Sequence, residues 1–365
     1  MSQRIGGGRG SFFAALLLVL IALWLPSASA RQTSPSLARE DPTRLLFVRG
    51  DDGTEHAVRN ADDWARRRAH ILANLQRVMG HLPDDSRRVP LDVKVLEEVR
   101  TPAYVRRKIS YAPEAGDRVP AYLLIPNGLK RAAPAMLCLH QTTALGKDEP
   151  VGLGGRPSLH YAHELALRGY VCLVPDYPSL GEYRYDLTRT DDVYVSGSMK
   201  AIWNNLRAVD LLESLTEVDR RRIGCIGHSL GGHNALFTAL FDRRLRAVIT
   251  SCGFSNFHDD TVANWTGPRY MPRLRDVYGN DPQKIPFDFH ELIAAIAPRA
   301  LFVCAPLHDS NFKVQGVRHV VDSARKVYEL LGAGQRLKVV YPDAPHDFPD
   351  EVRRQAYEWL GRQLR

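Results

Sequence analysis

Cysteine is scarce: the 365-residue chain carries five, Cys138, Cys172, Cys225, Cys252 and Cys304. No two stand in a C-x-x-C spacing, which excludes the zinc-ribbon and thiol-redox arrangements that such pairs serve. Each falls in a segment that reads as a strand, at a position otherwise filled by Val, Ile, Leu or Ala. Buried, unpaired thiols are therefore expected, with one disulfide between neighbouring strands as the alternative. Past residue 30 the chain lacks any apolar run of the roughly 20 residues that a spanning helix needs. It lacks internal repeats and low-complexity tracts, which excludes a solenoid. It also lacks a block of one charge. Lys and Arg number 49 against 41 Asp and Glu, a net +8, but Arg66-Arg67-Arg68, Arg87-Arg88 and Arg220-Arg221-Arg222 are interleaved with acids. Such clusters read as solvated helix faces and turns, and no nucleic-acid partner is expected.

What is present begins with a leader. Arg4 and Arg9 precede an apolar run from Phe12 to Leu25, then Pro26 and the small-residue site Ala28-Ser29-Ala30. This pattern predicts a signal peptide cleaved after Ala30 and a periplasmic or secreted protein with no stable membrane anchor after cleavage. An uncleaved anchor is the alternative, and the run is short for it. No cysteine follows the cleavage site to accept lipid. About 335 residues remain, enough for one large α/β domain.

Three regions are expected: the leader over 1–30, an extension over 31–90 and a catalytic domain over 91–365. In the extension, Trp64, Ile71, Leu72, Leu75 and Val78 recur at helical spacing over Ala61 to Met79. Three extended segments follow, Asp92 to Val99, Tyr104 to Tyr111 and Arg118 to Ile125. Short apolar runs then alternate with helical segments, the pattern of parallel strands buried on both faces. The runs are Met136–His140, Tyr170–Val174, Arg222–Ile226, Ala247–Cys252, Ala300–Ala305 and Leu337–Tyr341. The fold class is thus α/β: a mostly parallel central sheet flanked by helices, with an N-terminal helical extension. Residues 254–298, rich in aromatics and prolines, break the alternation and read as a cap-like insertion, or as a loop packed on the sheet edge.

The strand Arg222 to Ile226 runs into Gly227-His228-Ser229-Leu230-Gly231, with a helix expected over His233 to Phe241. A serine on such a strand–turn–helix needs glycine on both sides, because strand and helix approach closely there. A bare G-x-S-x-G arises by chance in roughly one chain in ten of this length, so the downstream residues must decide. A serine hydroxyl becomes a nucleophile only beside a base, and the base needs a carboxylate to fix its tautomer. Sites on parallel sheets form beyond the carboxyl ends of strands. Asp309 follows the penultimate strand and His346 the last, which gives the order Ser229, Asp309, His346. His308 as base and Asp259 or Asp260 as acid are alternatives. Asp343 and Asp347 read as turn formers, and His228 and His233 as packing or rim residues. Donors for an oxyanion are expected from the backbone of Leu230 and from the loop after His140, first Thr142 and then Gln141.

These residues resemble the α/β-hydrolase superfamily, and within it the dienelactone-hydrolase-like and acetyl-xylan-esterase-like branch of exported bacterial proteins. The likeness covers most of Ala61 to Arg365. It rests on His140-Gln141-Thr142, Gly146-Lys147-Asp148-Glu149-Pro150, the elbow with Gly232, Trp265-Thr266-Gly267-Pro268-Arg269-Tyr270, and Ala297-Pro298-Arg299 leading to Asp309. The resemblance implies a Ser-His-Asp hydrolase of carboxylic esters that needs no metal and no organic cofactor, with a small-molecule or carbohydrate ester as substrate. Dienelactone hydrolases themselves use a cysteine where Ser229 stands. Glucuronoyl esterases place an arginine directly after the nucleophile, where this chain has Leu230. Arg269 and Tyr270 are candidates to hold a substrate carboxylate or sugar hydroxyl, against a reading as a salt bridge and a buried ring. Trp265 is a candidate sugar platform, against a reading as core. Two other functions fit the same pattern: a prolyl-oligopeptidase-like peptidase, for whose gating domain the chain has no room, and a non-catalytic binding protein on the same fold.

Overall fold

Alternating and continuous apolar runs assemble into a nine-stranded sheet. The computed structural model describes residues 41–50, 53–188 and 193–364, so the leader and its cleavage point lie outside the described residues. Strands β1 (Phe47–Arg49) and β2 (Glu55–Ala57), which the sequence pattern does not announce, form a separate antiparallel pair. Helix α1 (Ala61–Met79) follows, started by Asn60, whose side chain accepts from the Asp62 and Asp63 amides. Strands β3 (Lys94–Arg100), β4 (Tyr104–Tyr111) and β5 (Val119–Pro126) make an antiparallel entry. Then come β6 (Ala133–Leu139), α2 (Tyr161–Leu167), β7 (Val171–Pro175), α3 (Gly197–Ser214), β8 (Val218–His228), α4 (Leu230–Phe241) and β9 (Leu245–Ser251). The chain ends with α5 (Arg273–Asp276), α6 (Phe289–Ile296), β10 (Ala300–Cys304), α7 (Val314–Leu330), β11 (Leu337–Val340) and α8 (Asp350–Gln363).

The strand order is β11-β10-β9-β8-β6-β7-β5-β4-β3, parallel from β7 through β11. The chain leaves β6, crosses to β7 on one side and returns to β8 on the other. The order therefore reverses at β6, and a crevice opens where the loops beyond β6 and β8 diverge. Residues on β6 alternate between the two layers: Ala135, Leu137 and Leu139 join the core under α1, α3, α4, α6 and α7, while Met136 and Cys138 join the core under α2 and α8. All five cysteines are free and buried.

The N-terminal helix is part of this packing. Trp64, Ile71, Leu75 and Val78 lie in the larger core. Arg67, fully buried, pairs with Glu291 of α6 at 2.7 Å, and Arg68 donates to the carbonyls of Ala295 and Leu240. Segment 254–298 is likewise tied down: Phe254, Phe257, Ile285, Phe287, Phe289 and Ile293 are buried in the same core. Its residues Asn264, Trp265 and Tyr270 stand beside the elbow, and exposed residues such as Val277 lie between its buried stretches.

Candidate active site

Register places the site. Leu139 pairs with Gly227, His228 with Ser251, and Cys304 with both Ser251 and Val340. The segments beginning at His140, Ser229, Cys252, Ala305 and Tyr341 therefore leave the sheet along one edge.

Ser229 sits at φ 53° and ψ −118°, a conformation that strains a residue with a Cβ and marks a constrained turn. Its N–H donates to the Ser251 carbonyl at 2.8 Å, and its carbonyl accepts from the His233 amide at 2.9 Å. A Cβ on Gly231 would lie 1.9 Å from the Leu139 carbonyl oxygen, and one on Gly227 2.2 Å from Gly231. The two flanking glycines are thus required by contact. Helix α4 starts at Leu230, three residues before the sequence pattern suggests, because Gly231 and Gly232 weaken the helical signal there without preventing the turn. As the first helical residue, Leu230 has an amide with no intrahelical partner.

His346 Nδ1 stands 2.9 Å from Asp309 Oδ1. The same carboxylate oxygen accepts from the amides of Asn311 at 2.8 Å and Phe312 at 3.1 Å, and beside it the Cys252 thiol donates to the Asp347 carbonyl at 3.4 Å. Burial raises the carboxyl's pKa, but His346 and these donors outweigh it, and Asp309 titrates below the ordinary aspartate value. The His346 ring is braced by His228, at 4.8 Å between centroids, and by Phe312 at 5.9 Å.

Ser229 and His346 line one cleft of about 390 Å³, with Gln141, Thr142, Leu230 and Tyr270 among the walls. None of its lining residues is Lys, Arg, Asp or Glu. Tyr270 reaches across to Thr142, hydroxyl to hydroxyl at 3.1 Å. Trp265 lines the cleft too, but it is 3 % exposed and one face is stacked on His233 at 4.6 Å, so it is a core ring with an edge in the wall. Arg269 is not among the residues lining the cleft; its Nε donates to Ser179 Oγ at 3.1 Å, and among the described residues no carboxylate pairs with it.

The alternatives are placed elsewhere. Asp259 bonds His319 at 2.9 Å and Asn256 at 2.7 Å. His308 has an acid of its own: Asp343 lies 2.8 Å away, with both side chains mostly exposed. Asp347 is more than a turn former, since it accepts from Ser158 at 2.7 Å and lies 3.5 Å from Arg156. His233 is fully buried with neither ring nitrogen bonded, and burial alone pushes its pKa down to about 3.

Two neighbours have no local sequence signal. Arg156 links three loops, donating to the His346 carbonyl at 3.0 Å and approaching Gln141 and His228, each at 3.4 Å. Cys252 lies under Asp309. With His228 and His346 it offers ligand atoms within 4.8 Å of one another. Each of the three has a hydrogen-bond partner in the structure: His228 Nδ1 lies 3.0 Å from Ser251 Oγ, the Cys252 thiol donates to the Asp347 carbonyl, and His346 Nδ1 bonds Asp309.

The dienelactone hydrolase family profile matches residues 148–271, and a profile described as glucuronyl esterase, fungi, matches 260–332. The chain is 25 % identical over 310 residues to a Bacillus subtilis (strain 168) protein provisionally named hydrolase YtaP, covering 81 % of this chain and all of that one. It is 26 % identical to 4-O-methyl-glucuronoyl methylesterase 1 of Wolfiporia cocos, covering 88 % and 81 %. The structure of a glucuronoyl esterase from Solibacter usitatus superposes with a TM-score of 0.69 at 19 % identity, over 89 % of this chain and 98 % of that one. Sheet order, elbow and these likenesses agree: the chain has the α/β-hydrolase fold and is similar to carboxylic ester hydrolases of the dienelactone hydrolase and glucuronoyl esterase kinds.

Proposed function

We propose that the protein is exported through its N-terminal leader and hydrolyses carboxylic esters of carbohydrate, small acyl groups above all, through an acyl-enzyme on Ser229. The observation that carries this reading is the pairing of a serine held at positive φ with a histidine already fixed by a buried carboxylate, both facing one uncharged cleft.

In the mechanism, Asp309 accepts from His346 Nδ1–H, which leaves Nε2 as the lone-pair nitrogen. Nε2 takes the Ser229 proton as Oγ bonds to the ester carbonyl carbon, and the carbonyl π pair moves onto oxygen. Backbone amides of Leu230 and of Thr142 or Gln141 hold that oxyanion, each donor being worth about 10²–10³ in rate. Collapse expels the alcohol, which takes the proton back from His346. A water then repeats the sequence on the acyl-enzyme and releases the acid. The uncharged lining suits a neutral ester, and the polar side chains of Gln141, Thr142, Asn264 and Asn311 suit a hydroxyl-rich alcohol. The named activities of the glucuronoyl esterases support carbohydrate esters in general, while Leu230 in place of their arginine favours simple acyl esters.

Hydrolysis of nitrophenyl acetate and of acetylated xylo-oligosaccharides, with Ser229→Ala as the control, tests this. Turnover of both is expected, with loss of at least 10³-fold in the variant. Turnover unaffected by the substitution, or none by the natural protein, overturns it.

A further inference from the structure

The two loop amides named above, at Gln141 and Thr142, differ in how they are held. His140 is the first residue beyond β6 and is 2 % exposed. Its Nε2 lies 2.9 Å from the Tyr177 amide nitrogen. An amide N–H can only donate, so Nε2 is the acceptor and the ring proton sits on Nδ1. Nδ1–H donates in turn to the Gln141 carbonyl at 2.6 Å. Burial depresses the ring's pKa by more than Asp176 raises it, so the neutral ring keeps this tautomer. In a trans peptide the C=O and the following N–H point in opposite directions. A Gln141 carbonyl bound to the buried His140 therefore turns the Thr142 N–H away from the core, and Thr142 lines the cleft beside Ser229 and Leu230.

We infer that His140 is a positioning residue that aims the Thr142 amide into the cleft as the second oxyanion donor. The inference rests on the esterase reading above. The loop cannot slide out of this setting. The Gln141 side chain donates to both oxygens of the buried Glu149 at 3.1 and 2.8 Å, and Glu149 also accepts from the Arg156 amide at 3.1 Å. On the far side of the ring, Asp176 accepts from Lys147 N at 2.8 Å, Lys147 Nζ at 3.0 Å and the Glu182 amide at 3.0 Å. This fixes the segment whose next amide, that of Tyr177, holds His140. Turning the ring over would put carbon atoms at both bonded positions and break both bonds.

The test separates the two ring nitrogens. Asparagine reproduces a donor near Nδ1, and glutamine reproduces an acceptor near Nε2. His140→Asn is expected to keep kcat for nitrophenyl acetate within about tenfold, whereas His140→Gln loses about 10²-fold, the worth of one oxyanion donor. KM should change less than about threefold in both. Affinity for a phenylboronic acid, whose adduct carries an oxygen in the oxyanion position, should fall in parallel with kcat. Equal losses in the two variants, the reverse order, or boronate affinity that does not follow kcat would overturn the inference. If neither variant folds, replacing Thr142 by its α-hydroxy analogue exchanges that one N–H for an ester oxygen. This must lower kcat more than the same exchange at Gln141, and an equal or smaller loss overturns the assignment. No turnover by the natural protein marks the failure of the esterase reading itself.

Discussion

Two histidine–aspartate pairs stand on the loops that follow β10 and β11, and on paper their chemistry is the same. His346 lies 2.9 Å from Asp309, and His308 lies 2.8 Å from Asp343. They differ in surroundings. The side chains of the first pair are 16 % and 2 % exposed, those of the second 69 % and 84 %. Asp309 has two further amide donors on it, and its histidine shares a cleft with a strained serine. Asp343 has water. An ion pair in water contributes little because solvent screens it, and its geometry is lightly held. A contact of 2.9 Å therefore says little by itself; what makes a charge pair into machinery is the set of groups that deny it other arrangements.

The comparison breaks if the buried pair proves dispensable, so the largest expected effect comes first. Asp309→Asn should lower kcat about 10⁴-fold by allowing the wrong tautomer of His346, with little change in the thermal midpoint. Single-turnover kinetics with nitrophenyl acetate read this directly, and retention of a tenth of the activity would place the acid elsewhere. The supports of the buried acid come next. Cys252→Ala removes the thiol beside the carboxylate, whose bond to the Asp347 carbonyl at 3.4 Å ties the loop carrying His346 to the end of β9. A neutral hydrogen bond is worth about 1 kcal/mol, so kcat should fall about fivefold or less in the same assay, and an unchanged kcat would mean that the thiol does not hold the loop.

A third histidine sharpens the contrast from the other side, since His233 is buried more deeply than His346 yet has no carboxylate. Its folded pKa of about 3 lies below the unfolded value of about 6.5. Between those values the unfolded chain takes a proton there that the native state refuses. Its contribution to stability is therefore complete above pH 6.5 and is lost as pH falls, at about 1.4 kcal/mol per pH unit. His233→Phe should flatten the acid fall in stability by one proton's worth, as read from urea midpoints between pH 6.5 and 4. An unchanged slope would mean that the ring is charged in the fold.

These differences also mark what the amino-acid sequence can convey. Helix α1 is legible to the residue, because Asn60 caps it and its apolar stripe keeps one period. Ser229 and the order of Asp309 and His346 are legible because strand ends and tight turns have local signatures. Pairing is not. Nothing near Gly227 says that β8 lies against β6 and not β7, yet that register brings the His140 loop beside the elbow. Nothing near Cys252 or Arg156 says that Asp309 lies next to the one and His346 next to the other. Trp265 shows the same limit: its neighbours in the chain suit a sugar platform, but His233 and Phe289, distant in sequence, take up its surface. Exposure of a pair such as His308 and Asp343 is a property of the assembled surface, and two loops of similar composition conceal it.

The smallest expected effect belongs to that exposed pair. Replacing both members, His308→Ala with Asp343→Asn, removes one surface ion pair with no link to the cleft. The double variant should differ from the natural protein by about 0.5 kcal/mol or less in stability, and by less than twofold in kcat/KM for nitrophenyl acetate. One connection could raise that figure. The His308 amide donates to the Ala344 carbonyl at 3.1 Å, and Ala344 stands two residues before His346. That bond uses backbone atoms, which both substitutions leave in place, so the loop carrying His346 should hold its course. A loss of tenfold or more in kcat with stability unchanged would mean that the surface pair steers His346 through this loop. The division between the two pairs would then be one of distance from the serine, and not of burial.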